Sequence, residues 1–313
     1  MPSEFDLIER YFNWQQPAKG VAQGVGDDAA ILNIPNNQQL VVTTDTLISG
    51  VHFPEQTPAH AIGHKSLAVN LSDLAAMGAD PAWFTLALTL PEQNPQWLNE
   101  FSAGLRSLAE KANIQLVGGD TTKGALSISI TAMGLATAQN ILLRSTAKDG
   151  DLIYVTGTLG DAAAGLAVIQ NKLRLNNAEY CIERLNYPQS RHHESSYIRQ
   201  YATACLDISD GLLADLNHIL KASGVGACLD LDSIPLSPAL SSLQKEQALQ
   251  YALNGGDDYE LLFTIPADQQ QAFEQEVSRR VLVCHAIGKI DESFSGITSS
   301  QGRVLVPQGY LHF

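Results

Sequence analysis

The sequence predicts an α+β protein built from two domains. The chain has 313 residues, which is more than one hydrophobic core usually serves. Its predicted strands and helices follow one another without the regular spacing of a doubly wound sheet. A polar stretch with a glycine at residues 144–151 separates two sets of elements, as linkers between domains do. We therefore predict domains at residues 1–145 and 146–313.

The elements of the first domain follow from hydrophobic periodicity. Phe5, Ile8 and Phe12 recur at helical spacing, which predicts a short amphipathic helix. Gly78 and Pro81 give the long apolar helix before them a stop signal. Residues 126–136 alternate apolar and hydroxyl side chains, which is the period of a strand. The predicted elements are helix 4–14, strand 39–44, helix 59–77, strand 84–90, helix 96–112, strand 114–117 and strand 126–136.

The second domain is predicted to alternate strands and helices again. Its elements are strand 152–156, helix 161–171, helix 196–204, helix 210–222, strand 260–265, helix 268–277 and strand 281–287. Between them, residues 174–195 are polar and contain Arg191-His192-His193. Adjacent histidines in a polar stretch are more often solvated than bound to a metal. We predict that this segment is a connection rather than a site.

Charge and composition exclude several classes of protein. The 19 basic and 33 acidic residues give a net charge of −14, which argues against a nucleic-acid partner because such sites need clustered Lys and Arg. The four cysteines form no C-x-x-C pair, so neither a zinc knuckle nor a disulfide framework is expected. The sequence has no basic leader and no apolar run of about 20 residues. We expect a soluble cytoplasmic protein without a membrane partner.

Aspartates cluster beside glycines and beside hydroxyl or amide side chains, at the predicted ends of apolar strands. Each cluster alone has an ordinary explanation as a helix cap or a turn. Together they are too many for that in a chain with 17% charged residues. Converging carboxylates need a counter-charge, which hard divalent cations with oxygen ligands supply, and Mg²⁺ commonly brings phosphates with it. The clusters lie at residues 24–28, 43–46, 70–73, 118–122, 207–211 and 255–260.

Other nucleotide and metal motifs do not fit. The phosphate-binding pattern G-x-x-x-x-G-K-[ST] is absent, and so is an EF-hand loop. Residues 24–29 imitate a dinucleotide fingerprint, but a predicted strand follows where a helix should begin. The segment Gly157–Asp161 follows a strand and begins a helix. Its amides form either an anion site or an ordinary turn.

The six clusters resemble the motifs of the thiamine-monophosphate kinase family. They occur in order across nearly the whole chain, and an ordered set is far more specific than any single motif. The matching segments are GVGDDAA at 24–30, TTDTL at 43–47, AVNLSDLAAMGA at 68–79, GGDTT at 118–122, LDISDGL at 206–212 and GGDDYEL at 255–261.

The resemblance implies a fold shared with aminoimidazole ribonucleotide synthetase, selenophosphate synthetase and the hydrogenase-maturation dehydratase. It implies an N-terminal mixed α/β domain whose sheet pairs across a homodimer, and ATP between that domain and a C-terminal α/β domain. Selenophosphate synthetases carry a reactive Cys or selenocysteine near the N-terminus, whereas the first cysteine here is Cys181. The dehydratase ends in a reactive Cys, and this chain ends in Phe313. The ribonucleotide synthetase is the closest remaining competitor.

The resemblance also implies a role for each matching residue. The implied magnesium ligands are Asp28, Thr43, Thr44, Asp45, Asp73, Asp120, Asp207 and Asp210, of which Asp45, Asp73, Asp120 and Asp210 are expected to act in catalysis. Gly119, Asp120, Arg144 and Ser209 match nucleotide contacts. His52, Asp257 and Tyr310 match positions that face thiamine monophosphate. From the residues alone, His52 has a second explanation as the cap of a turn. Asp257 departs from the glutamate that the family often has, and its shorter side chain is expected to reach the substrate less directly.

The reaction implied is ATP plus thiamine monophosphate giving ADP plus thiamine diphosphate, by direct in-line transfer assisted by several Mg²⁺ ions. The acceptor is a phosphate oxygen that is already anionic at neutral pH, so no strong general base is needed. Two alternatives stay open: another ATP-dependent synthetase of the same fold, and a nucleotide and magnesium sensor without catalysis.

Overall fold

The described part of the chain folds into two compact units. The computed structural model describes residues 4–13, 20–26 and 28–308. One unit holds the residues up to Leu74 together with Ala79–Gln139, and the other holds Ala75–Gly78 together with the residues from Asn140 on. The predicted two-domain α+β organisation is confirmed at this level, and the chain changes unit shortly before the predicted boundary after residue 145. No helix among the described residues is long and apolar enough to cross a membrane.

The first unit is built on a four-stranded mixed sheet. Its elements are α1 (Glu4–Tyr11), β1 (Val21–Gln23), β2 (Ile31–Leu32), β3 (Gln39–Ile48), α2 (Ala59–Ala76), β4 (Asp80–Leu90), α3 (Pro95–Ala112), β5 (Gln115–Lys123) and β6 (Ser127–Ala136). The sheet has the order β3-β6-β4-β5, and its β4–β5 pair is parallel. Strands β1 and β2 form a separate antiparallel pair. The last two residues of α2, Ala75 and Ala76, belong to the second unit.

Three strands of the first unit are longer than predicted. β4 begins at Asp80, four residues before the predicted strand at 84–90. β5 continues to Lys123, so the GGDTT segment lies within a strand and not in a turn. The polar side chains of this segment do not show the apolar alternation that predicts a strand. Its backbone nevertheless pairs in parallel with β4, as far as Leu90 opposite Lys123. β3 likewise continues to Ile48, which places Asp45 in the middle of a strand rather than at its end.

The second unit is built on a seven-stranded sheet. Its elements are β7 (Leu152–Thr156), α4 (Asp161–Ile169), α5 (Ala178–Asn186), α6 (His192–Ile198), β8 (Ala204–Asp207), α7 (Leu212–Ser223), β9 (Gly226–Leu229), α8 (Lys245–Asn254), β10 (Leu261–Ile265), α9 (Gln270–Arg280), β11 (Cys284–Asp291), β12 (Gly296–Ser299) and β13 (Val304–Leu305). The sheet order is β13-β12-β9-β11-β7-β10-β8. The β9–β12 pair is parallel, and the other pairs are antiparallel.

Both faces of this sheet are covered. Ile153 and Val155 of β7 are buried in one hydrophobic cluster together with the apolar residues of α7. Tyr154 points the other way, into a second cluster with Phe263 of β10 and Phe273 of α9. The alternation is that of a strand whose two faces are both buried. The loop between β8 and α7 and the loop before β10 are therefore fixed at both ends in a rigid core.

The predictions for the second unit were wrong at several places. The segment 174–195 contains α5 and the start of α6 instead of being a plain connection. The helix predicted at 196–204 ends at Ile198, and β8 begins at Ala204. The strand predicted at 281–287 is β11, which begins at Cys284 and runs to Asp291. The strands β8, β9, β12 and β13 were not predicted, because strands of two to four residues carry too little periodicity to be recognised. The helix α8 was not predicted either.

Candidate active site

Thr43, Asp45 and Asp73 meet on the helix-covered face of the first sheet. Residues 43 and 45 are two apart on β3, so their side chains share one face of the sheet. Asp73 reaches that face from α2, and the Thr43 hydroxyl donates a short hydrogen bond to its Oδ2. Burial, together with the negative charge of Asp73, raises the pKa of Asp45 from 3.8 to about 6. Two carboxylates that share a partly buried space in this way repel each other, and a bound cation would relieve that repulsion.

Asp28 and Asp120 line a pocket in the same unit. The pocket has a volume of about 340 Å³ and is also lined by the glycines 26, 118 and 119. Its remaining wall is largely apolar, with Ile8, Phe12, Val25, Leu86 and Leu116. Gly119 is required there because a Cβ at this position would stand 1.9 Å from the Leu86 carbonyl oxygen. An apolar wall suits a ligand with a flat ring, and phosphates of the same ligand would need a cation between them and the two carboxylates.

Thr44 and His52 have other partners. The Thr44 side chain points to the opposite face of β3 from Thr43 and Asp45, where its hydroxyl is 2.8 Å from the hydroxyl of Thr131 on β6. Only its main-chain atoms could therefore contribute to a metal site with Asp45. The Nδ1 atom of His52 accepts a hydrogen bond of 3.0 Å from the Ile48 amide. This is the turn-capping role, and it leaves the hydrogen of a neutral ring on Nε2.

In the second unit, Asp207 is the last residue of β8, and the loop between β8 and α7 carries Ser209 and Asp210. Asp207 is buried at the end of β8, and the other two are half-buried. Asp215, one turn into α7, accepts hydrogen bonds from the amides of Ser209, Asp210 and Gly211 at 3.0–3.1 Å, all with its Oδ2 atom. Burial raises the pKa of Asp215 to about 7, although these three amides work to lower it.

Sequence reasoning missed Asp215. A helix cap in the 207–211 cluster would come before the helix, whereas the N-cap position is Gly211, which has no side chain to act as a cap. The available signal was an acidic residue in the first turn of a predicted helix, where a carboxylate can satisfy unpaired amides.

The loop that carries Asp257 is bonded to the same segment. The amide of Asp257 donates to the Ser209 carbonyl oxygen at 2.9 Å, and the amide of Tyr259 donates to that of Ile208 at 2.9 Å. The Tyr259 hydroxyl donates to Asp257 Oδ1 at 3.0 Å. Asp257 and Tyr259 both have left-handed backbone angles, with φ of 69° and 50°. Such angles are uncommon outside glycine and often mark functional sites.

Glu260, at the end of this loop, is held by an ion-pair network. It is fully buried, and its Oε1 lies 2.7 Å from Arg184 Nη2 and 2.6 Å from Arg191 Nη2. Arg191 Nε donates to Oε2 at 2.6 Å, and Thr156 donates to the same oxygen at 2.5 Å. Burial works to raise the pKa of Glu260, but Arg191 and Arg184 outweigh it and hold the pKa below its ordinary value. Arg191, predicted to lie in a plain connection, is thus a structural part of the second unit.

The Gly157–Asp161 segment is an ordinary, internally satisfied turn. The Gly160 amide donates to Asp258 Oδ2 at 2.7 Å. Asp161 accepts from Thr158 at 2.6 Å and from Ser237 at 2.5 Å. Burial raises the pKa of Asp258 well above its ordinary value. An internal carboxyl group therefore takes the position that an anion would need at Gly160.

The remaining predicted residues are not brought together by an observed contact. Arg144 is exposed, and its carbonyl oxygen accepts from Ser223 at 2.9 Å. Tyr310 lies outside the described residues. Within residues 4–13, 20–26 and 28–308, no group of three or more His, Cys, Asp or Glu side chains is arranged to hold a metal ion. The structure thus groups the predicted site residues as Thr43, Asp45 and Asp73, as Asp28, Gly119 and Asp120, and as Asp207, Ser209, Asp210 and Asp257.

Comparison with known proteins identifies the family. Residues 26–136 match the family of AIR synthase related proteins, N-terminal domain, and residues 148–299 match its C-terminal domain. The thiamine-monophosphate kinase of Salmonella typhimurium is 47% identical over an alignment of 319 positions, which covers 99% of this chain and 98% of that protein.

Two solved structures are similar over most of their length. The thiamine-monophosphate kinase of Stenotrophomonas maltophilia K279a has a TM-score of 0.86 and 47% identity, covering 92% of this chain and 93% of that one. AaThiL complexed with AMPPCP and TMP has a TM-score of 0.80 and 33% identity, covering 89% of each chain. The chain belongs to the thiamine-monophosphate kinase family, within the AIR synthase related proteins.

Proposed function

We propose that this protein transfers a phosphoryl group from ATP to thiamine monophosphate, giving ADP and thiamine diphosphate. The observation that carries the proposal is the Thr43–Asp45–Asp73 group in a chain 47% identical over its length to a thiamine-monophosphate kinase. A related protein of 33% identity is known as a complex with AMPPCP and TMP, which supports ATP as the second substrate.

The chemistry asks little of the side chains beyond positioning and charge. The attacking atom is a phosphate oxygen that is anionic at neutral pH, so the protein need not remove a proton from it. The barrier comes from bringing two polyanions together in line. The residues that we assign to this task are Asp45, Asp73, Asp120 and Asp210. Thr43 fixes the orientation of Asp73 through its hydrogen bond.

The donors of the first unit fit magnesium. Thr43, Asp45 and Asp73 offer only oxygen atoms, which is the ligand type that Mg²⁺ prefers. The raised pKa of Asp45 supports this assignment, because a positive charge beside the carboxylate would offset the burial and the repulsion from Asp73 that raise it. We assign the magnesium ions to Asp28, Thr43, the main chain of Thr44, Asp45, Asp73, Asp120, Asp207 and Asp210. When bound, Mg²⁺ would neutralise phosphate charge and align the reacting groups.

The nucleotide and substrate contacts complete the proposal. We assign ATP to Gly119, Asp120, Arg144 and Ser209, and thiamine monophosphate to His52, Asp257 and Tyr310. The proposal also includes the roles of the two domains, with ATP and magnesium binding in residues 1–145 and closure of the site by residues 146–313. The Asp257 carboxylate, oriented by Tyr259, would attract the cationic thiazolium ring of the substrate.

We also propose a homodimer in which the first sheet continues across two copies. β3 is an edge strand of ten residues. Its outward face exposes Leu40, Val42 and Ile48, by 38%, 54% and 41%. A long edge with apolar side chains is prone to pairing unless another chain covers it.

The test is an assay of the purified protein with ATP, Mg²⁺ and thiamine monophosphate that measures thiamine diphosphate and ADP directly. Equal amounts of both products, abolished by a chelator, would establish the reaction. Phosphate release with aminoimidazole precursors, and no thiamine diphosphate, would indicate a synthetase. Binding of ATP without any product would indicate a sensor.

A further inference from the structure

One carboxylate oxygen organises the loop between β8 and α7. Asp215 Oδ2 accepts the three consecutive amides of residues 209–211 at 3.0–3.1 Å, and the side chain is only 4% exposed. Three successive amides that point to one spot form the kind of concave site that binds anions. Here the anion is a side chain of the protein itself, four to six residues further along the chain.

The carbonyl side of the same loop holds a second loop. The carbonyl oxygens of Ile208 and Ser209 accept the amides of Tyr259 and Asp257, each at 2.9 Å. Asp257 and Tyr259 have left-handed backbone angles, which cost free energy and persist only where the surroundings impose them. The two bonds to residues 208 and 209 are part of what imposes them. A shift of the 208–211 backbone would therefore also move Asp257.

We propose that Asp215 is a positioning residue that fixes the loop between β8 and α7 and, through it, the loop that carries Asp257 and Tyr259. This inference rests on the proposed function, which assigns Ser209 and Asp210 to ATP and magnesium and Asp257 to thiamine monophosphate. Asp215 itself touches neither substrate in this account. Its effect passes through the amides on one side of the loop and the carbonyl oxygens on the other.

A purely structural cap would behave differently from a positioning residue. A cap that only stabilises α7 would lower the melting temperature when removed, and the folded fraction would keep its KM values. A positioning residue changes the KM values of the folded protein, because displacement of binding groups by an ångström is enough to weaken binding and slow the reaction. The KM for ATP and the KM for thiamine monophosphate should rise together, since one residue fixes both loops.

The kinetic experiment compares three variants at a temperature well below the melting point of each. Asp215→Ala removes the acceptor and should raise both KM values about tenfold. Asp215→Glu keeps the acceptor and the charge but moves the oxygen by one methylene, and it should also raise both KM values. This variant tests the proposal even if the alanine variant fails to fold. Asp215→Asn keeps an acceptor oxygen at the same distance and should stay within about twofold of the wild type.

Asp230→Ala is the matched control. Asp230 also accepts a backbone amide, that of Asp232 at 3.1 Å, and a hydroxyl, that of Ser233 at 2.6 Å. It lies in the same unit, outside the residues assigned to the site, so its replacement should leave both KM values unchanged. Wild-type KM values in both Asp215→Ala and Asp215→Glu would overturn the proposal.

Hydrogen exchange without substrates tests the same point independently of the reaction. Asp215→Ala should lose amide protection at residues 209–211 and also at 257 and 259, whereas Asp215→Asn should keep it. Unchanged protection at 257 and 259 would overturn the coupling between the loops even if the kinase assay succeeds. If the wild type made no thiamine diphosphate, the proposed function would fail, and the exchange data would still decide whether Asp215 fixes both loops.

Discussion

Asp45 combines a role in the proposed chemistry with a cost to the fold. Its pKa is raised to about 6 by burial and by Asp73, so the folded protein opposes its ionisation. For an acid with a raised pKa, the folded state holds a proton that the unfolded state has already lost. Stability therefore falls as the pH rises from about 4 to about 6 and stays lower above that range.

Replacing Asp45 by asparagine should move activity and stability in opposite directions. Turnover should fall by orders of magnitude, because a proposed metal ligand is lost. Without metal at pH 7.5, the free energy of unfolding should rise by about 1–2 kcal/mol, since the ionisation penalty is removed. Denaturant unfolding at pH 7.5 and pH 4 checks this, and the difference between the proteins should shrink at the lower pH.

Glu92→Gln is the control for this prediction, because it removes an exposed carboxylate of the same unit and should change neither quantity appreciably. Near-normal turnover of Asp45→Asn, or a loss of stability at pH 7.5, would contradict the prediction. Asp120→Asn should likewise lower turnover by orders of magnitude, and normal turnover in both variants would remove the metal-cluster mechanism.

Val281 is a strained residue that has no part in the site. It follows α9 with a left-handed φ of 56°, which is costly for a β-branched side chain. It is also 85% exposed, so little packing would be lost on its replacement. Val281→Gly should raise the free energy of unfolding by about 1 kcal/mol, measured by denaturant unfolding. Asn113, with φ of 52° after α3, is the control: Asn113→Gly should have little effect, and a destabilised Val281→Gly would refute the strain.

The sequence predicted the role of a residue where the residue belongs to a motif. It did not predict a role that depends on contact with a residue far away in the chain. Asp28, Asp45, Asp73 and Asp120 stand in motifs, and the structure places them in the same unit. Glu260 was noticed only as part of a motif, because its partner Arg191 is 69 positions away in the chain. The pairing of two such charges depends on the tertiary fold and leaves no local pattern.

Helices α2 and α3 approach each other through glycines. A Cβ at Gly63 would stand 2.1 Å from the Phe101 carbonyl oxygen, and one at Gly104 would stand 2.0 Å from that of His60. A side chain at either glycine would therefore force the two helix backbones apart. The same helix α2 carries Asp73, so its position matters to the candidate site.

Gly104→Ala should therefore destabilise the protein by several kcal/mol, although helix propensity alone would favour alanine by about 1 kcal/mol. Thermal and denaturant unfolding measure the change. Ala103→Gly, at an exposed neighbouring position of α3, should cost only about 1 kcal/mol. A stabilised Gly104→Ala would show that the helices do not pack closely.

At the scale of elements, long periodic segments were predictable and short or polar ones were not. Helices α2 and α3 and strand β6 were predicted to within a few residues. The second half of β5 was missed because Gly118, Gly119 and Asp120 carry no strand pattern, and its pairing with β4 is set by the chain as a whole. In α5 the buried Arg184 stands where an apolar residue would have shown the helical period.

For the whole molecule, the two-domain α+β organisation followed from the chain length, the spacing of the elements and the polar stretch at 144–151, and the family followed from six motifs in order. The order of the strands in the second sheet did not. Its partners lie far apart in the chain, such as β12 beside β9 and β10 between β7 and β8. The sequence favours no particular partner for strands of this length.

The proposed dimer gives the prediction at this scale. Val42→Lys puts a charge in the middle of the exposed apolar face of β3 and should convert a dimer into monomers, as measured by sedimentation. Val304→Lys is the control, since Val304 is 69% exposed on β13 in the other unit and should leave the mass unchanged. A wild-type protein that sediments as a monomer would contradict the proposed dimer directly.

The number of residues in strand β3 is constrained by the different roles of its two faces. Its odd-numbered residues Thr43 and Asp45 face the chemistry, while the even-numbered Leu40 and Val42 face outward. A single replacement in β3 would alter either the face at the site or the outward face, and would leave the other face unchanged. The loss or gain of one residue in the strand would instead exchange the two faces, so that aliphatic side chains would point at the site and carboxylates at the partner. We therefore expect homologous chains to vary in composition along this strand far more readily than in its number of residues.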